Sequence, residues 1–170
     1  FLFTVEFFPE EGKYHYDGHR NCKKRFHPSE TKENKGICPI CNKPLTKGVL
    51  GRVEELADRP EGFIPKKAIP FKSFVPLDEI IAEAKGVGKA TKQVNQAYMS
   101  LISSFGSEFN ILVNLEEKEL FSKVPERIAE GIRRVRERKL EILPGFDGEY
   151  GTIKIFGEEE KQEKEQLTLF

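Results

Sequence analysis

No tryptophan occurs in this chain, methionine occurs once, and cysteine only three times. Three is an odd number, two of the cysteines form a Cys-x-x-Cys, and no segment has the charged-then-apolar layout of a secretory leader. That combination argues against a disulfide framework and for a reducing, cytoplasmic compartment. Long apolar runs are missing too. None approaches the roughly 18 residues needed to cross a bilayer, so a membrane helix is not expected. Net charge is absent: 28 basic residues face 28 acidic ones, so any nucleic-acid binding has to come from local patches and not from a global field. An initiator Met is also lacking, and the opening FLFTVEFF reads as a cut from something longer. Charged residues supply 33% of the chain, a bias shared with proteins from hot environments.

What is present sorts into four stretches. Residues 1–50 open with an aromatic, β-branched strand at about residues 3 to 8. All three His and all three Cys then follow without a helical period long enough to bury itself, so this stretch needs a staple. Residues 51–76 carry Pro60, Pro65, Pro70 and Pro76, too closely spaced for a helix interior. They predict an extended connector whose Phe and Ile side chains lie on a neighbouring surface. Residues 77–156 read as helical, with LDEIIAEA, then Val94, Tyr98, Leu101, Ile102 and Phe105, then LEEKELFSKV, then a fourth helix with Pro125 in its first turn and Ile128, Ile132 and Val135 as its buried stripe. A β-hairpin over KLEILPGFDGEYGTIKIF closes it. Residues 157–170 are too polar to fold and end in QLTLF. The fold class expected is α+β: a small zinc-knuckle or ribbon segment, a helix-hairpin-helix-like unit and a C-terminal β-hairpin.

His19 and Cys22 are spaced His-x-x-Cys, Cys38 and Cys41 Cys-x-x-Cys, and a loop separates the pairs. A two-residue gap lets a tight turn aim both donors at one tetrahedral ion, which is zinc-knuckle spacing. His15 and His27 are the alternatives for the fourth ligand. Three thiolates and one imidazole leave no open coordination position, so such a zinc is structural. The run HYDGH also permits a hydrolytic ion on His15, Asp17 and His19, but that choice strands the three cysteines. No catalytic constellation stands out.

Three stretches can meet phosphates. Lys23, Lys24 and Arg25 follow Cys22 on the loop that the metal would stiffen. Gly86, Gly88 and Lys89 suggest a Gly-Val-Gly turn with a second helix starting at Lys89, whose amides face an anion. Arg127, Arg134 and Arg138 share a face of the fourth helix away from its apolar stripe, and Arg133 and Arg136 extend it. The competing reading of that face is an exposed, salt-bridged surface with Glu130 and Glu137.

The segments EFFPEEGKYHYDGHRNC, GICPICNKPLTKGVLGRVEELADRPEGF, VPLDEIIAEAKGVGK and ERIAEGIRRVRERKLEILPGFDGEYG closely resemble the C-terminal half of endonuclease Q, an archaeal and bacterial DNA-repair enzyme. The resemblance runs from about Phe3 to Phe156. It implies a parent that cuts DNA on the 5′ side of deaminated bases such as uracil and hypoxanthine, and at abasic sites, with its catalytic metals in a PHP-type domain outside this chain. The fragment alone is then expected to bind DNA weakly and not to cut it. Gln166, Leu169 and Phe170 look like the start of a peptide that binds a sliding clamp (PCNA). The reading from a different class is a zinc-stabilised, non-enzymatic adaptor that links partners to the clamp.

Overall fold

Ten prolines and fourteen glycines break the chain into short elements, and in the computed structural model every strand is three residues long. The structure describes residues 1–157, so the clamp-type residues Gln166, Leu169 and Phe170 lie outside the described residues. Two compact units share the chain. Unit 1 takes residues 1–4, 8–70 and 142–153, and unit 2 takes residues 5–7, 71–141 and 154–157.

In unit 1, β2 (Asp17–His19) runs antiparallel to β3 (Lys24–Phe26), with Asp17 opposite Phe26 and His19 opposite Lys24. A 3₁₀ turn at Arg20–Cys22 joins them, and Lys23 takes the left-handed conformation (φ 53°) that closes so short a connection. Two helices complete the unit, α1 (Pro28–Glu33) and α2 (Val49–Leu56). Only Phe8, Phe26, Cys38 and Phe146 serve as its buried hydrophobic side chains. Polar bonds carry much of the rest. Asp17 is buried and accepts from the Gly48 N–H at 2.6 Å, at the start of α2. A negative charge there offsets the unsatisfied amides and the dipole of the helix. The approach is so close that a Cβ on Gly51 would clash with the Asp17 carboxylate, so the first turn of α2 has to present a glycine.

The connector departs from expectation at both ends. Its first six residues continue α2, which ends at Leu56. Ile64 and Ile69 are exposed, while Phe63, half exposed, lines a cavity with Leu50 and Val53 of α2. Prolines open two turns in this backbone, closed by Phe63 N–H to Pro60 O (3.2 Å) and Ala68 N–H to Pro65 O (3.0 Å), and the Arg59 guanidinium lies 5.0 Å from the Phe63 ring. The Pro-Gly and Asp-Gly signals give a longer loop than a tight hairpin. β5 (Glu141–Leu143) and β6 (Thr152–Lys154) pair and frame residues 144–151. Within that loop Asp147 (φ 45°) and Gly148 (φ 87°) make the two-residue turn between Phe146 and Glu149, the pair of positive φ values that a type I′ turn demands.

Unit 2 holds the larger apolar core. Its helices are α3 (Leu77–Lys85), α4 (Lys92–Phe105), α5 (Glu117–Lys123) and α6 (Glu126–Arg136). α3 lies against both α4 and α6 and buries Leu77, Ile80 and Ile81 against a stripe that includes Val94, Leu101, Ile128, Ile132 and Val135. The chain enters α3 from β4 (Phe71–Ser73), the partner of β1 (Thr4–Glu6). Pro125 sits one position earlier than expected, as the N-cap of α6. A π-helical turn at Asn110–Asn114 frees carbonyls that Arg136 collects: its fork donates to Leu112 O, Leu115 O and Ile111 O at 2.7–2.9 Å.

On α6, Arg133 and Arg134 both reach Glu130 Oε1 at 2.8 Å. Hydrogen bonds from Arg133, joined by those from Arg134, hold the Glu130 carboxyl down at about 2 against the burial that opposes them. The bound form is the charged one, so its contribution is complete above the free value of 4.5 and fades as pH falls towards 2. Glu130→Gln is expected to cost about 1 kcal/mol at neutral pH. Urea unfolding should find most of that cost gone at about pH 2, and an undiminished gap there contradicts the assignment.

Candidate metal centre and nucleic-acid surfaces

Two donor pairs far apart in sequence meet because one bridge joins their hairpins. Gly18 in β2 exchanges hydrogen bonds with Thr46, N–H to O at 2.9 Å and 2.8 Å in the two directions. On one side His19 ends β2 and Cys22 ends the 3₁₀ turn. On the other, Cys38 N–H donates to Lys43 O (2.8 Å), Asn42 N–H donates to Cys38 O (2.9 Å), and Asn42 adopts φ 57° to turn the chain. The donor atoms of His19, Cys22, Cys38 and Cys41 all fall within 4.8 Å of one another, and Cys41 Sγ is 3.4 Å from His19 Nδ1. Ligands held about 2.0–2.3 Å from one tetrahedral ion are themselves roughly 3.3–3.8 Å apart, so the four side chains can hold a metal ion.

The thiols fit that purpose. None is in a disulfide. Burial pushes Cys38 up, yet N–H bonds from Ile40 and Cys41 outweigh it and bring the thiol to about 7. Burial, with the Cys41 and Cys38 sulfurs, lifts Cys22 to about 11. A divalent cation among them would ionise all three.

The competing ligands are engaged elsewhere. His27 caps α1: its Nδ1 accepts from Ser29 N–H at 3.4 Å, its own N–H donates to Glu30 at 2.7 Å, and its Nε2 lies 3.5 Å from Glu61. His15 stacks on Tyr16, and burial holds it below the usual imidazole range although Glu10 pulls the other way. Asp17 is spent on α2. Among the described residues His15, Asp17 and His19 form no three-ligand group, which removes the geometry that a hydrolytic ion on HYDGH requires.

The basic candidates have mixed fates. Lys23 pairs with Glu149 at 2.5 Å. Arg25 donates to Pro144 O at 2.8 Å and lies 5.0 Å from the Phe146 ring. Lys24 is exposed. Gly86 is the left-handed C-cap of α3 (φ 70°), a conformation that favours glycine. Gly88 lies beyond it, where a Cβ would meet only the Thr91 methyl, at 3.9 Å. The following helix starts at Lys92 with Thr91 as N-cap, not at Lys89. Lys89 instead turns back on the first turn of α3, 2.7 Å from Glu79 and 3.3 Å from Asp78. Arg127 and Arg134 do come together, though on protein: both stack over the fully buried ring of Phe156, at 4.0 Å and 5.0 Å. Arg133 is held by Glu130 and Glu137, the salt-bridged alternative. Arg138 is exposed just past α6, with φ 53°. One contact escaped the sequence reading: Lys13 Nζ lies 4.5 Å from the ring of Tyr150, which is 72% exposed. Lone residues in separate segments leave no periodic signal.

This geometry has close counterparts. A structure described as the novel lesion-specific endonuclease PfuEndoQ from Pyrococcus furiosus superimposes with a TM-score of 0.78 at 34% identity, over 99% of this chain and 42% of that one. The chain is a C-terminal part of an endonuclease Q-like protein. A second structure, endonuclease Q in complex with a 27-mer duplex substrate with an abasic lesion at the active site, matches with a TM-score of 0.71 at 34% identity, over 93% of this chain and 39% of that one. The family described as the MJ0043 C-terminal domain matches residues 76–139, the run from the entry of α3 through α6. Relatives include the uncharacterized protein MJ0043 of Methanocaldococcus jannaschii, 37% identical over 95% of this chain and 20% of its own length, and YqxK of Bacillus subtilis, 33% identical over 86% and 34%. The chain therefore spans between a fifth and two fifths of these proteins. No helix among the described residues is long and apolar enough to cross a membrane.

The purified chain is expected to carry about one equivalent of a divalent metal. Cys38→Ser should lose it, and His15→Ala and His27→Ala should retain it, by elemental analysis. Chelation should strip hydrogen-exchange protection from residues 17–46 while α3 and α6 keep theirs. Metal content unaffected by Cys38→Ser contradicts the ligand set.

Proposed function

We propose that this chain is the DNA-binding, lesion-presenting portion of a DNA-repair endonuclease, organised in part by a structural zinc on His19, Cys22, Cys38 and Cys41. The observation that carries the reading is the match, across 93% of the chain, to endonuclease Q holding a 27-mer duplex with an abasic lesion. The parent is read as cleaving 5′ of deaminated bases, uracil and hypoxanthine among them, and at abasic sites. Its catalytic metals are assigned to a PHP-type domain outside this chain. Zinc suits three thiols and an imidazole, and a closed set of that kind stiffens a loop without doing chemistry. Free cysteines accord with a cytoplasmic setting.

The work left to this chain is positional. Phosphate contacts fix register on the duplex, and reading a damaged base requires its removal from the stack. Lys24, beside the metal-stiffened turn, and Arg138 are among the exposed candidate cations. Gln166, Leu169 and Phe170 supply a partial sliding-clamp peptide in the same reading.

A fluorescent uracil-containing duplex titrated with the chain is expected to bind, and to bind about 100-fold more weakly when salt rises from about 50 to about 200 mM, as for roughly four phosphates neutralised. No binding at the lower salt overturns the proposal.

A further inference from the structure

Unit 2 contains a cavity of about 370 Å³ whose lining is cationic and apolar: Lys72, Arg136 and Arg138 stand among Phe71, Phe74 and Val135, and no carboxylate lines it. That volume falls within the range of small-ligand sites. Arg136 is the anchor. Its guanidinium carries five N–H donors, and three bonds to carbonyls of the π-helical turn hold it in one orientation. Two donors remain, and Arg136 forms no ion pair among the described residues. Glu117 and Glu116 act on it only through space, and neither lines the cavity. A half-buried guanidinium held rigidly by neutral groups is a charge left for an anion, because its orientation is already set before a ligand arrives.

Two further groups favour a phosphate. Ser73 is buried in the cavity wall, and its Oγ has no hydrogen-bond partner among the described residues. Its proton can turn to an acceptor in the cavity once the wall opens to the buried oxygen. Phe71 is 53% exposed at the rim, an apolar face against which a sugar or base can lie. Taking the DNA-binding reading as its basis, the geometry points to a phosphodiester-binding pocket that grips one backbone phosphate of a nucleic-acid strand through Arg136, Arg138 and Lys72. The metal-stiffened loop takes no part in it.

Two measurements on the whole chain test the pocket. Lys72→Ala/Arg138→Ala is expected to weaken duplex binding about tenfold or more at low salt and to lower the slope of log K against log salt by about 1–2, with Lys118→Ala on the exposed face of α5 unchanged. Arg136 is left in place in these variants because its removal strips three carbonyls of their partner. In the unmutated chain, the dinucleotide dTpdT should shift the amide resonances of residues 72–74 and 136–138, and thymidine should not. Inorganic phosphate reports whether the anion alone suffices: shifts from it together with dTpdT support a phosphate grip, and shifts from it without any from dTpdT overturn the strand assignment. Duplex bound as tightly by the double variant, with no shifts at the pocket, sinks the pocket and spares the functional reading. Shifts at the pocket in a chain that fails to bind duplex sink the functional reading and leave the pocket.

Discussion

Unit 1 has almost no apolar interior, and this shortage governs how its functional groups are held. Four buried hydrophobic side chains cannot offset the entropy of ordering so many residues, each of which costs about 1–2 kcal/mol of backbone freedom. Cross-links take over: the Gly18–Thr46 bridge, the buried Asp17 on the start of α2, and Asp147, which accepts from the Arg20 N–H at 2.7 Å. Burial alone would raise the Asp147 carboxyl, but the Arg20 and Thr46 bonds hold it below the usual range. The four converging donors belong to this series. A metal ion would be its strongest member, because without one three thiols and a ring are crowded together with little mutual attraction.

The same economy extends to the charged side chains, which are 33% of the sequence. Charged side chains are spent on backbone groups at the ends of elements. Glu108 accepts from Leu77 N–H at the start of α3 (2.7 Å) and also takes the Tyr98 hydroxyl (2.9 Å). Glu83 accepts from both Ile155 and Phe156 N–H, at 2.9 Å and 3.0 Å. Arg136 does for carbonyls what these acids do for amides. Each bond removes an orphaned backbone group, and the charge assists it. A basic residue in this sequence is therefore more often a structural part than a binding surface, and the loop Lys23–Lys24–Arg25 illustrates it, with two of its three cations turned to Glu149 and Pro144.

What the sequence made legible was local. His-x-x-Cys and Cys-x-x-Cys announce themselves by spacing, and α3, α4 and α6 by their apolar period, so the ligand cluster and the core stripe Ile128, Ile132 and Val135 could be named in advance. What it hid depended on partners distant in the chain. Arg127 and Arg134 lie on one side of α6 as expected, but whether that side meets water or Phe156 is decided by a segment more than twenty residues later. Lys89 is drawn back to acids ten and eleven residues before it, which no helix-start rule anticipates. The exposed Ile64 and Ile69 show the reverse case, where a hydrophobic run promises a burial that the described residues do not supply.

A neutral chain can give DNA only a modest electrostatic hold, since each neutralised phosphate contributes a limited, salt-sensitive increment. Within the reading proposed here that modesty has a use. A lesion-specific enzyme gains nothing from a portion that grips undamaged duplex tightly, because every intact site then competes with the rare damaged one. Rigid, singly placed cations such as Arg136, oriented by carbonyls before any ligand arrives, spend little entropy on contact. They reward a strand whose phosphates can reach them. A base already unpaired or missing costs less to unstack than an intact pair, so discrimination can come from how readily the strand deforms towards fixed partners.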